Sequence, residues 1–132
     1  MRLEHTCSTR IRYGETDQMG VVYHGNYAQF LEMGRTELLR NIGVSYKSME
    51  EEGVMLPVVS LTINYKKSAY YDDVIFIKTI LSQTPSVKIT FDYEITNELG
   101  ELLTTATVVL AFMNKDTHKL TRCPDYVLNK LG

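Results

Sequence analysis

The chain has few cysteines, and their arrangement suits neither a cross-link nor a metal site. Cys7 and Cys123 lie near opposite ends of the 132 residues, and neither belongs to a CxxC motif or to the Cys/His spacing of a zinc site. The three histidines also lack the spacing of metal ligands. We therefore expect reduced thiols, no metal ion and no redox cofactor.

Long hydrophobic runs and a surplus of positive charge are absent as well. The first six residues carry no apolar segment of the kind found in secretory signals. No stretch reaches the roughly 20 apolar residues that span a bilayer. The formal net charge is −2 and the pI is about 5.9, so no basic face is expected for nucleic acid. These absences predict a cytoplasmic protein with no membrane span and no nucleic-acid partner.

Two common catalytic motifs are also missing. The sequence contains no GxSxG elbow of a serine hydrolase and no GxxxxGK[ST] loop that would bind phosphates. Its composition is that of an ordinary globular protein, with 44% hydrophobic and 23% charged residues. Because a chain of this length can bury a core without cross-links, we expect a single domain over residues 1–132.

Hydrophobic spacing predicts one long helix in the first third of the chain. Asn26 is a suitable N-cap residue, and Gly43 supplies a stop signal. Between them, the apolar positions that fall on one helical face are Tyr27, Phe30, Leu31, Gly34, Leu38 and Ile42. Gly34 on that face indicates close contact with a sheet. A short second helix is predicted over residues 45–52.

Alternating and continuous apolar segments predict five strands, over residues 6–13, 59–66, 74–82, 88–95 and about 101–114. Short connections make them antiparallel, with a hairpin turn at residues 97–100. The order of one strand, a long helix and four strands predicts an α+β fold, with the helix across the concave face of the sheet. The last strand is apolar on both faces, which favours a homo-oligomer.

The segment from residue 13 to residue 27 carries the most chemical information. It places Asp17 in a glycine-bounded loop, seven residues before His24 at the entrance to the predicted helix. Free N–H groups at a helix start can stabilise an oxyanion, and a nearby carboxylate can activate water or attack a carbonyl. The pairing favours acyl transfer, although an Asp in such a loop more often forms an Asx-turn.

The run from Tyr13 to Tyr27, with the following residues 31–39 and 64–73, resembles the signature of hot-dog-fold acyl-CoA thioesterases. It is most similar to the 4-hydroxybenzoyl-CoA thioesterase-like branch, including the Tol-Pal-associated acyl-CoA thioesterases. The resemblance implies a curved five-stranded antiparallel sheet wrapped around one central helix. It also implies hydrolysis of acyl-CoA by a homodimer or homotetramer whose sites lie at the subunit interface.

The resemblance assigns roles to individual residues. Asp17 matches the catalytic aspartate, the backbone N–H of His24 is expected to polarise the thioester carbonyl, and Tyr13 matches an aromatic position beside the aspartate that could equally be core packing. Asn26 is expected to set the helix start, and Tyr27 continues the motif as a substrate-binding position. The side chains expected near the phosphates of coenzyme A, or else solvated, are Lys66, Lys67, Ser86 and Lys88.

Three other functions share these features. The same hydrolysis could act on acyl-carrier-protein thioesters, and only a comparison of matched substrates separates the two. A non-catalytic acyl-binding module would use the same cavity but has no need of a carboxylate beside an apolar chain. A hydratase of the same fold is less consistent with the observed spacing of Asp17 and His24.

Overall fold

The computed structural model describes all 132 residues, which form one sheet, one long helix and several short elements. The strands of the main sheet are β1 (Leu3–Arg10), β3 (Val58–Tyr65), β4 (Val74–Leu81), β5 (Lys88–Asn97) and β6 (Leu102–Ala111). The helices are α1 (Tyr27–Asn41), α2 (Tyr46–Glu51) and α3 (Asp125–Leu131). Two short strands, β2 (Val54–Met55) and β7 (Met113–Asn114), pair with each other. None of the three helices is long and apolar enough to cross a membrane.

The main sheet is antiparallel throughout, and its strands lie in the order β1-β4-β5-β6-β3. Period-two alternation explains its inner face, because one set of side chains on β5 is buried while the other set is half-buried or exposed. The buried set is Ile89, Phe91, Tyr93 and Ile95. With α1 packed on this face, the predicted α+β architecture is confirmed.

Helix α1 lies against β1 and β4 and buries the predicted apolar stripe. Gly34 marks the point of closest approach, because a Cβ atom built there would lie 2.4 Å from Thr79 Oγ1 and 2.8 Å from Ile77 Cγ2. Glycine in a helix costs about 1 kcal/mol relative to alanine, and the close helix–sheet packing offsets that cost. The prediction that Gly34 permits sheet contact is therefore confirmed.

Several predicted boundaries differ from the structure. The first strand begins and ends three residues earlier than predicted, because the chain turns into a 3-10 helix at Tyr13–Glu15. Asn26 does not cap α1: it already has helical dihedrals, and its side chain accepts no hydrogen bond from the helix. A 3-10 turn over His24–Asn26 leads directly into α1 instead.

The C-terminal region holds the remaining differences. The predicted last strand is interrupted after Ala111, where the chain leaves β6 and forms β7 against β2. The C-terminal residues, which show no clear hydrophobic periodicity, contain α3, a helix that the sequence does not predict. Its Val127 and Leu131 are buried in the main core, so tertiary packing stabilises a helix too short to form alone.

The exposed apolar surface lies on β3, rather than on the last strand. Strand β6 is interior, between β5 and β3, and apart from the exposed Leu102 at its start its two apolar faces are buried or half-buried. Strand β3 is an edge strand on which every residue except Ile63 is exposed. Its exposed large side chains are Val58, Val59, Leu61 and Tyr65.

Candidate functional site

Asp17 lies at the corner of a small hairpin formed by the loop that precedes α1. Thr16 bridges Val22, and the Asp17 N–H donates to the Val21 carbonyl at 2.9 Å. The Gly20 N–H closes the turn on the Asp17 carbonyl at 3.0 Å, with Gly20 at φ +80°. Glycine adopts this conformation without strain, so the local sequence accounts for the position of the carboxylate.

The Asp17 carboxylate is half-buried and only partly engaged. Oδ1 accepts a hydrogen bond from the Met19 N–H at 2.8 Å, which is the Asx-turn that the loop composition also predicts. Oδ2 has no partner in the chain, and the carboxylate forms no ion pair. One oxygen therefore orients the group, while the other is available to a proton or to a carbonyl carbon.

The start of α1 provides free hydrogen-bond donors next to this carboxylate. In the turn over His24–Asn26, the Asn26 N–H donates to the Tyr23 carbonyl at 3.0 Å, whereas the N–H groups of His24 and Gly25 have no backbone acceptor. Unpaired N–H groups at the start of a long helix carry a partial positive charge. Such groups suit the stabilisation of an oxyanion.

Asn26 joins the helix start to the carboxylate loop. Its Nδ2 donates to the Glu15 carbonyl at 2.8 Å, and the same carbonyl accepts the Tyr23 N–H at 2.9 Å. Because Glu15 is two residues before Asp17, these bonds hold the two halves of the candidate site together. Asn26 thus acts by a contact different from the predicted helix cap.

A cleft of about 260 Å³ opens between this loop and the end of β3. Five predicted site residues line it, namely Asp17, His24, Tyr27, Lys66 and Lys67. Its wall is completed by Met19, Val21, Val22, Tyr65 and Ser68. The structure therefore brings the predicted carboxylate, the helix start and two lysines to one cavity.

Two tyrosines that line the cleft are packed against each other. Tyr27 is 3% exposed, and its ring meets Tyr65 edge to face at 5.2 Å and Phe30 at 5.5 Å. Burial raises the pKa of Tyr27 above its ordinary value, so its hydroxyl stays protonated. The sequence indicates Tyr65, at the end of an alternating strand next to Lys66, only as a residue whose packing affects the depth of the pocket, and the family resemblance assigns it no role.

The two adjacent lysines differ in their electrostatic surroundings. Lys67 Nζ pairs with Glu101 at 2.6 Å, and the hydrogen bond from Lys67 lowers the pKa of that carboxyl below its usual value. Lys66 forms no ion pair in the chain. Lys66 is therefore the cation at this cleft that is free to meet an anionic group.

Besides Asn26, three predicted residues lie outside the cleft lining. Tyr13 is 78% exposed and meets Tyr71 edge to face at 5.7 Å; it flanks a shallow depression that Asp17 also borders, so it is not core packing. Ser86 and Lys88 lie at the opposite end of β5 from the site. Lys88 pairs with Ala111, whereas Tyr65 pairs with Thr104 and through it with Ile95. Lys88 and Ile95 are therefore seven residues apart on β5, which corresponds to about 23 Å.

No group of three or more His, Cys, Asp or Glu side chains converges as metal ligands would. The chemistry available in the cleft is therefore that of a carboxylate, backbone N–H donors and an unpaired ammonium group. These groups can activate a nucleophile, stabilise an oxyanion and hold an anionic substrate.

Known proteins resemble this chain over most of its length. Residues 11–131 match the thioesterase-like superfamily. The putative acyl-CoA thioesterase YneP of Bacillus subtilis is 40% identical over 109 residues, which are 83% of this chain and 79% of that protein. Acyl-CoA thioester hydrolase YbgC of Escherichia coli O157:H7 is 35% identical over 101 residues, 76% of this chain and 75% of YbgC.

Solved structures agree with these relatives. A DHNA-CoA thioesterase from Staphylococcus aureus superposes with a TM-score of 0.90 at 38% identity, covering 97% of this chain and 90% of that one. The sheet, its helix and the predicted family are thereby confirmed together. The chain belongs to the thioesterase-like superfamily and has its hot-dog fold.

Proposed function

We propose that this protein hydrolyses acyl-CoA thioesters to a free acid and coenzyme A, with Asp17 as general base or nucleophile. The observation that carries the proposal is the shared cleft, which is lined both by Asp17, with one carboxylate oxygen unpaired, and by His24, whose N–H has no backbone acceptor. The names of the relatives YneP and YbgC support the same reaction.

The proposed reaction uses each group once. The thioester carbonyl oxygen accepts a hydrogen bond from the His24 N–H, so that negative charge developing on the oxygen meets the positive end of α1. In one route, Asp17 removes a proton from a water molecule while that water attacks the carbonyl carbon. In the other, the Asp17 carboxylate attacks the carbon and forms an anhydride, which water then hydrolyses. Either route expels the thiolate of coenzyme A. The exposed His24 imidazole serves to position substrate.

The alternative substrate is an acyl group carried by a protein. Purified enzyme assayed on one acyl chain attached to coenzyme A or to carrier protein should show a kcat/KM at least about tenfold higher for the CoA ester, equal to about 1.4 kcal/mol of contacts to the nucleotide. Acyl-CoAs with short, long and aromatic chains then define the preference. Faster turnover of the carrier-protein ester would reverse the assignment.

Lys66 is the proposed contact for a phosphate of coenzyme A. Lys66→Ala should raise KM about fivefold with little change in kcat, because a partly exposed charge contact to phosphate contributes about 1 kcal/mol. Lys67→Ala is the matched control, since Lys67 already pairs with Glu101, and its KM should stay within about twofold of wild type. Steady-state kinetics at low and high salt measure KM and kcat of the two variants. Equal effects of the two changes would contradict this assignment.

We also propose a homodimer joined through β3. An edge strand with unpaired backbone groups and exposed apolar side chains is prone to pair with another strand, and β3 shows both features. Its end forms one wall of the cleft through Tyr65, so a partner protomer paired with β3 would lie beside the site. Pairing of two such strands would join the two sheets. Whether dimers pair further into tetramers depends on other surfaces.

A further inference from the structure

Tyr65 makes a contact that the proposed reaction does not yet use. It is the last residue of β3, and its hydroxyl donates to the His24 carbonyl at 3.3 Å. Its ring packs edge to face on Tyr27, the first residue of α1, with ring centres 5.2 Å apart. Tyr65 therefore contacts both the turn before α1 and the first residue of the helix.

The carbonyl that Tyr65 contacts belongs to the donor turn, His24–Asn26. This carbonyl also accepts the Tyr27 N–H, which links the turn to α1. Because a peptide unit is planar and trans, holding the His24 carbonyl sets the direction of the Gly25 N–H and limits rotation of the whole turn. The orientation of the His24 N–H depends on that same turn.

The donor turn has only one other side-chain hydrogen bond to a distant segment. On the loop side, the Asn26 side chain holds it to the Glu15 carbonyl. On the sheet side, Tyr65 supplies the only side-chain hydrogen bond to the turn. His24 and Gly25 are exposed, and their N–H groups have no acceptor that would hold them in place. The turn is thus held by one side-chain hydrogen bond at each side, while the ring of the preceding Tyr23 packs against His24 and Gly25.

We infer that Tyr65 is a positioning residue, whose hydroxyl holds the donor turn in the orientation that stabilises the oxyanion. The inference rests on the proposed thioester hydrolysis. Oxyanion stabilisation depends on donors held in place before the reaction. An anchor acting through the turn should therefore affect the transition state more than the binding of the ground state.

Tyr65→Phe in the full chain tests this role, because it removes the hydroxyl and retains the ring against Tyr27. Amide hydrogen exchange, measured without substrate, should become about fivefold faster at Asn26 and Tyr27, whose N–H groups donate to the Tyr23 and His24 carbonyls, while the strands keep their protection. In the acyl-CoA assay, kcat should fall about fivefold with KM within about twofold of wild type. The control is Tyr71→Phe, which removes an exposed hydroxyl that donates to no acceptor; both quantities should stay at wild-type values.

Each result decides the role of Tyr65. Unchanged exchange at Asn26 and Tyr27 would show that the hydroxyl does not anchor the turn, and unchanged kcat would show that the anchor does not serve catalysis. A raised KM with unchanged kcat would make Tyr65 a substrate contact instead. If wild-type protein hydrolyses no acyl-CoA, the proposed function fails, and the positioning role fails with it even where the exchange result reveals an anchor.

Discussion

Asp17→Asn should lower kcat for acyl-CoA hydrolysis by at least about a hundredfold while the protein remains folded. The amide is nearly the same size as the carboxylate, and its oxygen can still accept the Met19 N–H that orients the side chain. It cannot take a proton from water, and it is a poor nucleophile toward a thioester. The substitution should therefore lower kcat and leave the structure of the loop unchanged.

The measurement is steady-state release of free thiol from the best acyl-CoA, with circular dichroism as the check on folding. Asp17→Ala should lose similar activity and also the Asx-turn bond, so its loop should exchange amide hydrogens faster than the loop of Asp17→Asn. Asp116→Asn, in an exposed turn, is the matched control and should retain full activity. A loss below threefold for Asp17→Asn would show that Asp17 is neither the general base nor the nucleophile.

Leu61→Asp should abolish the proposed dimer. Leu61 lies at the middle of the edge strand β3 and is 45% exposed in the single chain. Pairing of two β3 strands would bury a carboxylate at this position without a partner, at a cost of several kcal/mol. We expect the dissociation constant to rise by at least about a hundredfold, which corresponds to about 2.7 kcal/mol.

Sedimentation velocity over a range of protein concentrations measures this association. Leu99→Asp is the matched control, because Leu99 is 84% exposed in the turn between β5 and β6 and should leave the dimer unchanged. Activity measured in parallel shows whether the site needs the second protomer. A Leu61→Asp protein that sediments as wild type does would show that β3 is not the joined edge.

Local sequence accounts for much of the candidate site. Asp17 and His24 are only seven residues apart, and the intervening turn closes through Gly20, so their proximity needs no distant contact. The apolar spacing of α1 and the alternation of β5 likewise predict which side chains are buried. These features depend on intervals along the chain, and sequence patterns record such intervals directly.

Other site residues depend on contacts between distant segments. The sequence predicts the same role for Lys66 and Lys67, yet only Lys67 pairs with Glu101, which is 34 residues away. The resemblance predicts Ser86 and Lys88 near the phosphates of coenzyme A, but strand register places them at the far end of β5. No local pattern encodes either result, because each depends on which strands become neighbours.

The sequence by itself determined the family, the α+β class, the long helix with its close approach at Gly34, and the loop that places Asp17 beside the start of that helix. Only the tertiary structure decided which lysine is free, that Asn26 ties loop to helix, that Tyr65 reaches the His24 carbonyl, and that β3 is an edge strand with exposed apolar side chains. The physical reason is the range of the forces involved. Periodicity and turn preferences act over a few residues, whereas ion pairing, burial and edge exposure depend on strand order and on segments far apart in the chain.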